Sequence, residues 1–226
     1  MTLYCGIDLH STNNYLGIYD QDDREVVAKK LPNELPTGLR CLEPHRTDLA
    51  GIAVESTYNW YWLVDGLVDH GYNVVLANPA ANSQYDGLKY TDDRYDSRWL
   101  AQMLRLGILK TGCIYPAEQR PVRDLLRKRM RLVQHRTAHI LSIQNIISRN
   151  TGRNLRWAKI EQMTDVEMSE LFADELIAMA PRASLEVINA VNKQVSLIEK
   201  TVRAQAKLRS EFGLLKTVYG VVTFWR

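Results

Sequence analysis

The chain has 226 residues, 46% of them apolar and 24% charged, which suits one globular domain with a smaller companion or two modest domains and excludes wholesale disorder. No window approaches the roughly 18 unbroken apolar residues of a membrane span, and Met1-Thr2-Leu3-Tyr4-Cys5 lacks the basic start and apolar run of a signal peptide, so a cytoplasmic protein with no membrane partner is expected. The net charge of +3 conceals a segregation, with 8 Lys/Arg against 15 Asp/Glu in residues 1–100, 13 against 2 in 101–160 and 8 against 9 in 161–226, which predicts a polyanion held by the middle segment and a carboxylate-rich site in the first.

Taken in order, Leu3–Asp8, Asn14–Tyr19 and Glu25–Leu31 read as three strands separated by turn formers. A helical stretch around Gly38–Glu43 follows, then a fourth strand at Gly51–Val54 ending on Glu55. An amphipathic helix from Trp60 to His70 closes on Gly71, the residue favoured just past a helix end. A fifth strand, Asn73–Ala77, leads towards a helix opening at Asp92. This order predicts an α/β fold with one mixed sheet flanked by helices, and it is similar to that of ribonuclease-H-like nucleases. Cys5, Cys41 and Cys113 are widely spaced with no C-x-x-C pair, so reduced thiols are expected rather than disulfides or a zinc knuckle.

The acids fall at telling places. Asp8 interrupts an apolar strand, where a buried carboxylate is costly unless paired or bound to metal. Glu55 ends a core strand, at the sheet edge where α/β sites form. Asp93 and Asp96, three apart, share a helical face. Singly, each could cap a turn or a helix, and Asp92 is the natural cap of its helix. Jointly, Asp8, Glu55, Asp93 and Asp96 suit hard divalent cations, Mg²⁺ or Mn²⁺. A pair of such ions about 3.5–4 Å apart acts on both the attacking and the leaving oxygen of a phosphodiester.

Gly6-Ile7-Asp8-Leu9-His10-Ser11-Thr12, Val54-Glu55-Ser56-Thr57-Tyr58-Asn59-Trp60-Tyr61-Trp62 and Asp92-Asp93-Arg94-Tyr95-Asp96-Ser97-Arg98-Trp99-Leu100-Ala101 resemble the signature blocks of the Asp-Glu-Asp-Asp (DEDD) insertion-sequence transposases with a RuvC-like domain. These enzymes are known for bridge-RNA-guided recombination, and the Piv-type invertases belong with them. Met103–Leu109, Ile114-Tyr115-Pro116 and Arg123–Arg127 continue the likeness. The resemblance implies DNA transposition and recombination, with Asp8, Glu55, Asp93 and Asp96 as the metal-binding, catalytic quartet, DNA as partner and a guide RNA as a further one.

After Pro121, neither proline nor glycine interrupts the chain up to Asn150, which predicts one long helix with a 4-3 seam of Leu126, Met130, Val133, Thr137, Ile140, Gln144 and Ile147. Arg120, Arg123, Arg127, Lys128, Arg131 and Arg136 crowd its first half and are the candidate nucleic-acid contacts; a solvated helix face is the plain alternative. Thr164-Asp165-Val166-Glu167 resembles a capping box. Pro181 is expected to separate that short helix from a second long one, whose seam is Ile188, Val191, Val195, Ile198 and Val202. Two such seams predict an all-α, coiled-coil-like hairpin, or a homo-oligomer built through the same helices.

The expected domains are a RuvC-like one over 1–112, a basic helical one over 113–212, and in 213–226 the start of a further domain. Gly213–Val222 resembles the family's passage into a second catalytic domain, with Tyr219 where proline is usual. That domain carries the attacking serine in the family, so no nucleophile is assigned here, and the sequence reads as a C-terminally truncated transposase. The alternative function is a non-catalytic DNA- or RNA-binding and dimerisation module that regulates an intact transposase.

Overall fold

The first strand shows how the sheet is made. In the computed structural model, which describes residues 1–78, 81, 92–207 and 217, β1 (Leu3–Leu9) points Leu3, Cys5, Ile7 and Leu9 into one core, each at most 1% exposed. The alternate residues Gly6 and Asp8 face the other way, as period-2 geometry requires. Antiparallel β2 (Asn13–Asp20) and β3 (Glu25–Pro32) form a meander beside it. After α1 (Leu35–Leu42), β4 (Leu49–Glu55) pairs in parallel with β1, and after α2 (Tyr61–Asp69), β5 (Val74–Ala77) pairs in parallel with β4. Helix α3 (Asp93–Arg105) leads to the short edge strand β6 (Thr111–Gly112), absent from the sequence reading because two residues carry no alternation. The strand order is β3-β2-β1-β4-β5-β6, the mixed, ribonuclease-H-like sheet expected.

Each sheet face has its own helices. Leu63, Val64 and Leu67 of α2 join Cys5, Ile7, Ile18 and Val54 in the larger core, with Leu35 and Leu39 of α1 packed against it. Trp99, Leu100 and Met103 of α3 cover the opposite face over Ala53 and Ala77. That second contact depends on missing side chains. A Cβ on Gly6 would lie 1.9 Å from the Ser97 carbonyl oxygen and one on Gly17 would lie 2.8 Å from the Ser97 hydroxyl, and these two glycines are cross-strand partners. Helix α3 therefore rests on bare backbone.

The chain divides into two compact units, Met1–Ile114 and Tyr115–Arg226. In the second, α4 (Arg120–Thr151) ends at Gly152 in the left-handed conformation, φ +69°. It is followed by α5 (Trp157–Ile160), α6 (Asp165–Glu170) and α7 (Glu175–Lys207). The Thr164–Glu167 capping box is formed, both reciprocal bonds included. Arg129 pairs with Glu199 at 2.7 Å and Arg136 donates to Asn192 at 2.9 Å, so α4 and α7 run antiparallel as an intramolecular hairpin. Ile143 and Ile147 meet Leu185 and Ile188 at its far end, where Ile160 of α5 and Met168 of α6 complete the core.

Two helical expectations need correction. The α7 seam is as read, with Ile188, Val191, Val195, Ile198 and Val202 all buried, but the α4 seam is so only at its C-terminal end, where Ile147 is buried and Ile140 packs against the same cluster. Leu126, Met130 and Thr137 are exposed, whereas Arg129, Arg136 and Ile143 face α7, because partners on α7 decide the register. Gln144 spends its amide on the Leu155 carbonyl, 2.9 Å away. Pro181 lies inside α7 rather than before it. It is buried there, and burial offsets the backbone bond that proline cannot make. Residues 213–226, expected to open a further domain, lie outside the described residues apart from Thr217.

Candidate functional site

Register brings the acids together. Ile7 pairs with Val54 in parallel, which leaves Asp8 and Glu55 adjacent at the carboxyl ends of two neighbouring strands. Asp8 also stands opposite Tyr15, and Tyr15 opposite Lys30, so Lys30 reaches the same face from two strands away. Above them, Asp92 caps α3, accepting from the Tyr95 amide at 2.8 Å, and Asp93 and Asp96 occupy its first turn. Two ion pairs fix the helix against the meander: Arg94 grips Glu25 with two 2.8 Å bonds and Arg98 reaches Asp23 at 2.8 Å.

The carboxylates are unequal. Asp8 is 3% exposed, and its Oδ2 is enclosed with no hydrogen-bond partner among the described residues. Nε2 of His10 lies 3.1 Å from that atom and also 3.1 Å from Asp93 Oδ1, but a ring nitrogen carries one proton at most, and its bonding geometry is with Asp93. Lys30 Nζ approaches Asp93 Oδ2 to 2.9 Å. Its hydrogen bond, helped by His10, holds the Asp93 carboxyl below the usual carboxylate range. Glu55 behaves oppositely. Burial, then a hydrogen bond with Asp8 and the charges of Asp8 and Asp96, push it up to about 8, since crowded anions away from water favour a shared proton.

Asp8, His10 and Asp93 present ligand atoms within 4.8 Å of one another, while Glu55 and Asp96 enter the cluster through their charges. The loops hold this end of β1 in place. The His10 carbonyl accepts amide hydrogens from Asn33 and Asn59, both at 3.0 Å, and Asn59 is itself fixed by the Thr57 hydroxyl at 2.9 Å. A divalent cation suits these residues on two counts: the donors are mainly carboxylate oxygens, and a buried acceptor has no hydrogen-bond partner among the described residues. His10 and Lys30 are absent from the sequence assignment. For His10 the available signal is its position two residues beyond Asp8, on the same strand face; for Lys30, which depends on a three-strand register, there is none.

The basic residues of α4 separate into two groups. Arg120 is buried and donates to the Tyr115 carbonyl at 2.6 Å, Arg123 stacks over the Tyr115 ring, and Arg136 serves the hairpin. Arg127, Lys128 and Arg131 are exposed and form no ion pair among the described residues. No helix among the described residues is long and apolar enough to cross a membrane.

No curated protein matches the chain. Among solved structures it is similar to T. thermophilus RuvC in complex with a Holliday junction substrate, with 16% identity over 50% of this chain and 100% of that one and a TM-score of 0.37. Residues 5–150, which include all four carboxylates and nearly the whole of α4, match the DEDD family of IS110 type, described as "Transposase", and the chain belongs to that transposase family.

Proposed function

We propose that the first unit supplies a Mg²⁺ or Mn²⁺ site for DNA strand cleavage and transfer, held by Asp8, Glu55, Asp93 and Asp96, and that the helical unit grips nucleic acid. The observation that carries the metal reading is the buried Asp8 Oδ2, which has no donor among the described residues, beside a Glu55 raised to about 8. Cations bound there supply charge to the attacking and leaving oxygens of a phosphodiester. The chain's own residues do the rest. The Asn33 and Asn59 amides fix the end of β1, His10 and Lys30 keep Asp93 ionised, and Glu55 holds a proton against Asp8 that it gives up when it becomes a ligand. Residues 1–112 form the cleavage domain in this reading, and 113–212 the basic helical domain, which also serves a homo-oligomer and a guide RNA.

The test is Mn²⁺ titration followed by calorimetry. Saturable binding in the parent chain and its loss in an Asp8→Ala/Asp93→Ala double variant are expected; equal affinity in both would refute the site. A second reading, a nucleic-acid-binding regulator without chemistry, has one observation in its favour: the Lys30 ammonium and the His10 ring already occupy both oxygens of Asp93. It predicts DNA binding with no Mn²⁺ binding at all.

A further inference from the structure

The outward face of α4 carries charge at both ends and none between. The residues that meet α7, namely Arg129, Arg136, Ile143 and Ile147, fall within roughly 40° of one another at about 100° per residue. On the same wheel Arg127, Arg131 and Arg149 lie on the opposite side, within about 40° of each other. All three are exposed, as are Gln134, Ala138 and Asn145 between them. No Asp or Glu occurs from residue 125 to 160. Arg149 suits the negative end of its helix, but Arg153 and Arg156, beyond the Gly152 cap, have no such role and are exposed too. None of Arg127, Lys128, Arg131, Arg149, Arg153 and Arg156 forms an ion pair among the described residues. Holding so much positive charge along one helix and the loop after it, with no ion pair among the described residues, costs self-repulsion, which a polyanion relieves.

The distance between the two ends selects the polyanion. From Arg127 to Arg149 is 22 residues, about 33 Å along an α-helix, and one turn of B-form DNA measures about 34 Å. We propose that this face bridges one helical turn of duplex DNA, Arg127, Lys128 and Arg131 taking phosphates at one crossing and Arg149, Arg153 and Arg156 at the next, with the neutral middle spanning the groove. The inference rests on the nucleic-acid reading of the helical unit and adds to it a second contact, a duplex partner and a minimum length.

The test measures affinity of the full chain for fluorescein-labelled duplexes of arbitrary sequence, 8 and 16 base pairs long, across a salt series. An 8-base-pair duplex is about 27 Å long, with its outermost phosphates closer together than that, so it cannot seat Arg127 and Arg149, about 33 Å apart, at once, and a 16-base-pair one is about 54 Å. Two phosphate contacts contribute about −1.8 to the slope of log K against log salt, equivalent to about 60-fold in affinity at 0.1 M. On the 16-mer, Arg127→Gln/Arg131→Gln and Arg149→Gln/Arg153→Gln should each weaken binding by that order and flatten the slope by nearly two units. On the 8-mer, where one end suffices, either pair should cost about twofold. If only the first pair matters on the 16-mer, the bridge is wrong and the basic-helix reading survives. If neither matters, that reading fails as well. Tighter binding of a 16-nucleotide single-stranded RNA with the same dependence on both pairs would overturn the assignment to duplex DNA.

Discussion

Replacing Glu55 with Gln should remove a pH dependence from the metal-free fold. The carboxyl is raised from 4.5 to about 8 in the folded chain, so between those values the native state holds a proton that the unfolded chain has released. Stability from this group is fully present below about pH 4.5 and is lost as pH rises through about 8, because the state binding more protons is disfavoured as they become scarce. The shift of about 3.5 units, at 1.36 kcal/mol each, sets an upper limit of about 5 kcal/mol. Since Glu55 shares its proton with Asp8 and is not fully buried, about half of that is a fair expectation for the measured difference. Gln keeps the neutral shape and cannot ionise. Urea denaturation in chelator from pH 5 to 9, followed by tryptophan fluorescence, should show the parent losing stability relative to Glu55→Gln, with most of the divergence between pH 5 and 8. Parallel curves would mean that Glu55 is ionised at neutral pH, and the crowding argument for a cation would fall with it.

Gly6→Ala, which puts a methyl 1.9 Å from the Ser97 carbonyl oxygen, should displace α3, cost about 3 kcal/mol or more of stability and abolish Mn²⁺ binding in the same titration; a variant that binds Mn²⁺ normally would show that α3 does not depend on this close approach. Lys30→Met removes the exposed ammonium competing for Asp93 and should tighten Mn²⁺ binding by up to about fivefold, the most a surface ion pair usually contributes; unchanged or weaker binding counts against competition. Asn33→Ala and Asn59→Ala should each cost about 1 kcal/mol, and less than additively in a double-mutant cycle, because both donate to the His10 carbonyl. Thr164→Ala should cost about 1 kcal/mol by opening the capping box, seen as a lower denaturation midpoint with Mn²⁺ affinity unaltered.

What can be read from the sequence depends on how far the deciding contact lies along the chain. The strands of the meander, the caps at Asp92 and Thr164 and the α7 seam follow from neighbours within a turn or two, and they are legible. The placement of Asp8 and Glu55 is legible too, because each falls near the end of an apolar run and the two runs are neighbouring strands in the expected order. The first half of the α4 seam is not: Leu126 and Met130 satisfy the 4-3 spacing, and only Glu199 and Asn192, 70 and 56 residues away from Arg129 and Arg136, fix which side faces inward. Lys30 is hidden for the same reason, since it reaches Asp93 only after three strands have paired. Arg120 and Arg136 look like their exposed neighbours in sequence, yet the Tyr115 carbonyl and Asn192 claim them. Pro181 misleads because its burial outweighs its usual effect on a helix.

The alternation in β1 has a consequence for how this chain tolerates change. Leu3, Cys5, Ile7 and Leu9 face the apolar core, while Gly6 and Asp8 face α3 and the carboxylates, so structure and chemistry are two interleaved messages written in one seven-residue string. Inserting or deleting a single residue there exchanges them, turning Asp8 into the hydrocarbon layer and an aliphatic chain towards Glu55. The two messages cannot drift independently: a frame error within the strand silences both at once. A folded first unit therefore keeps Asp8 on the face turned away from the apolar core, beside Glu55.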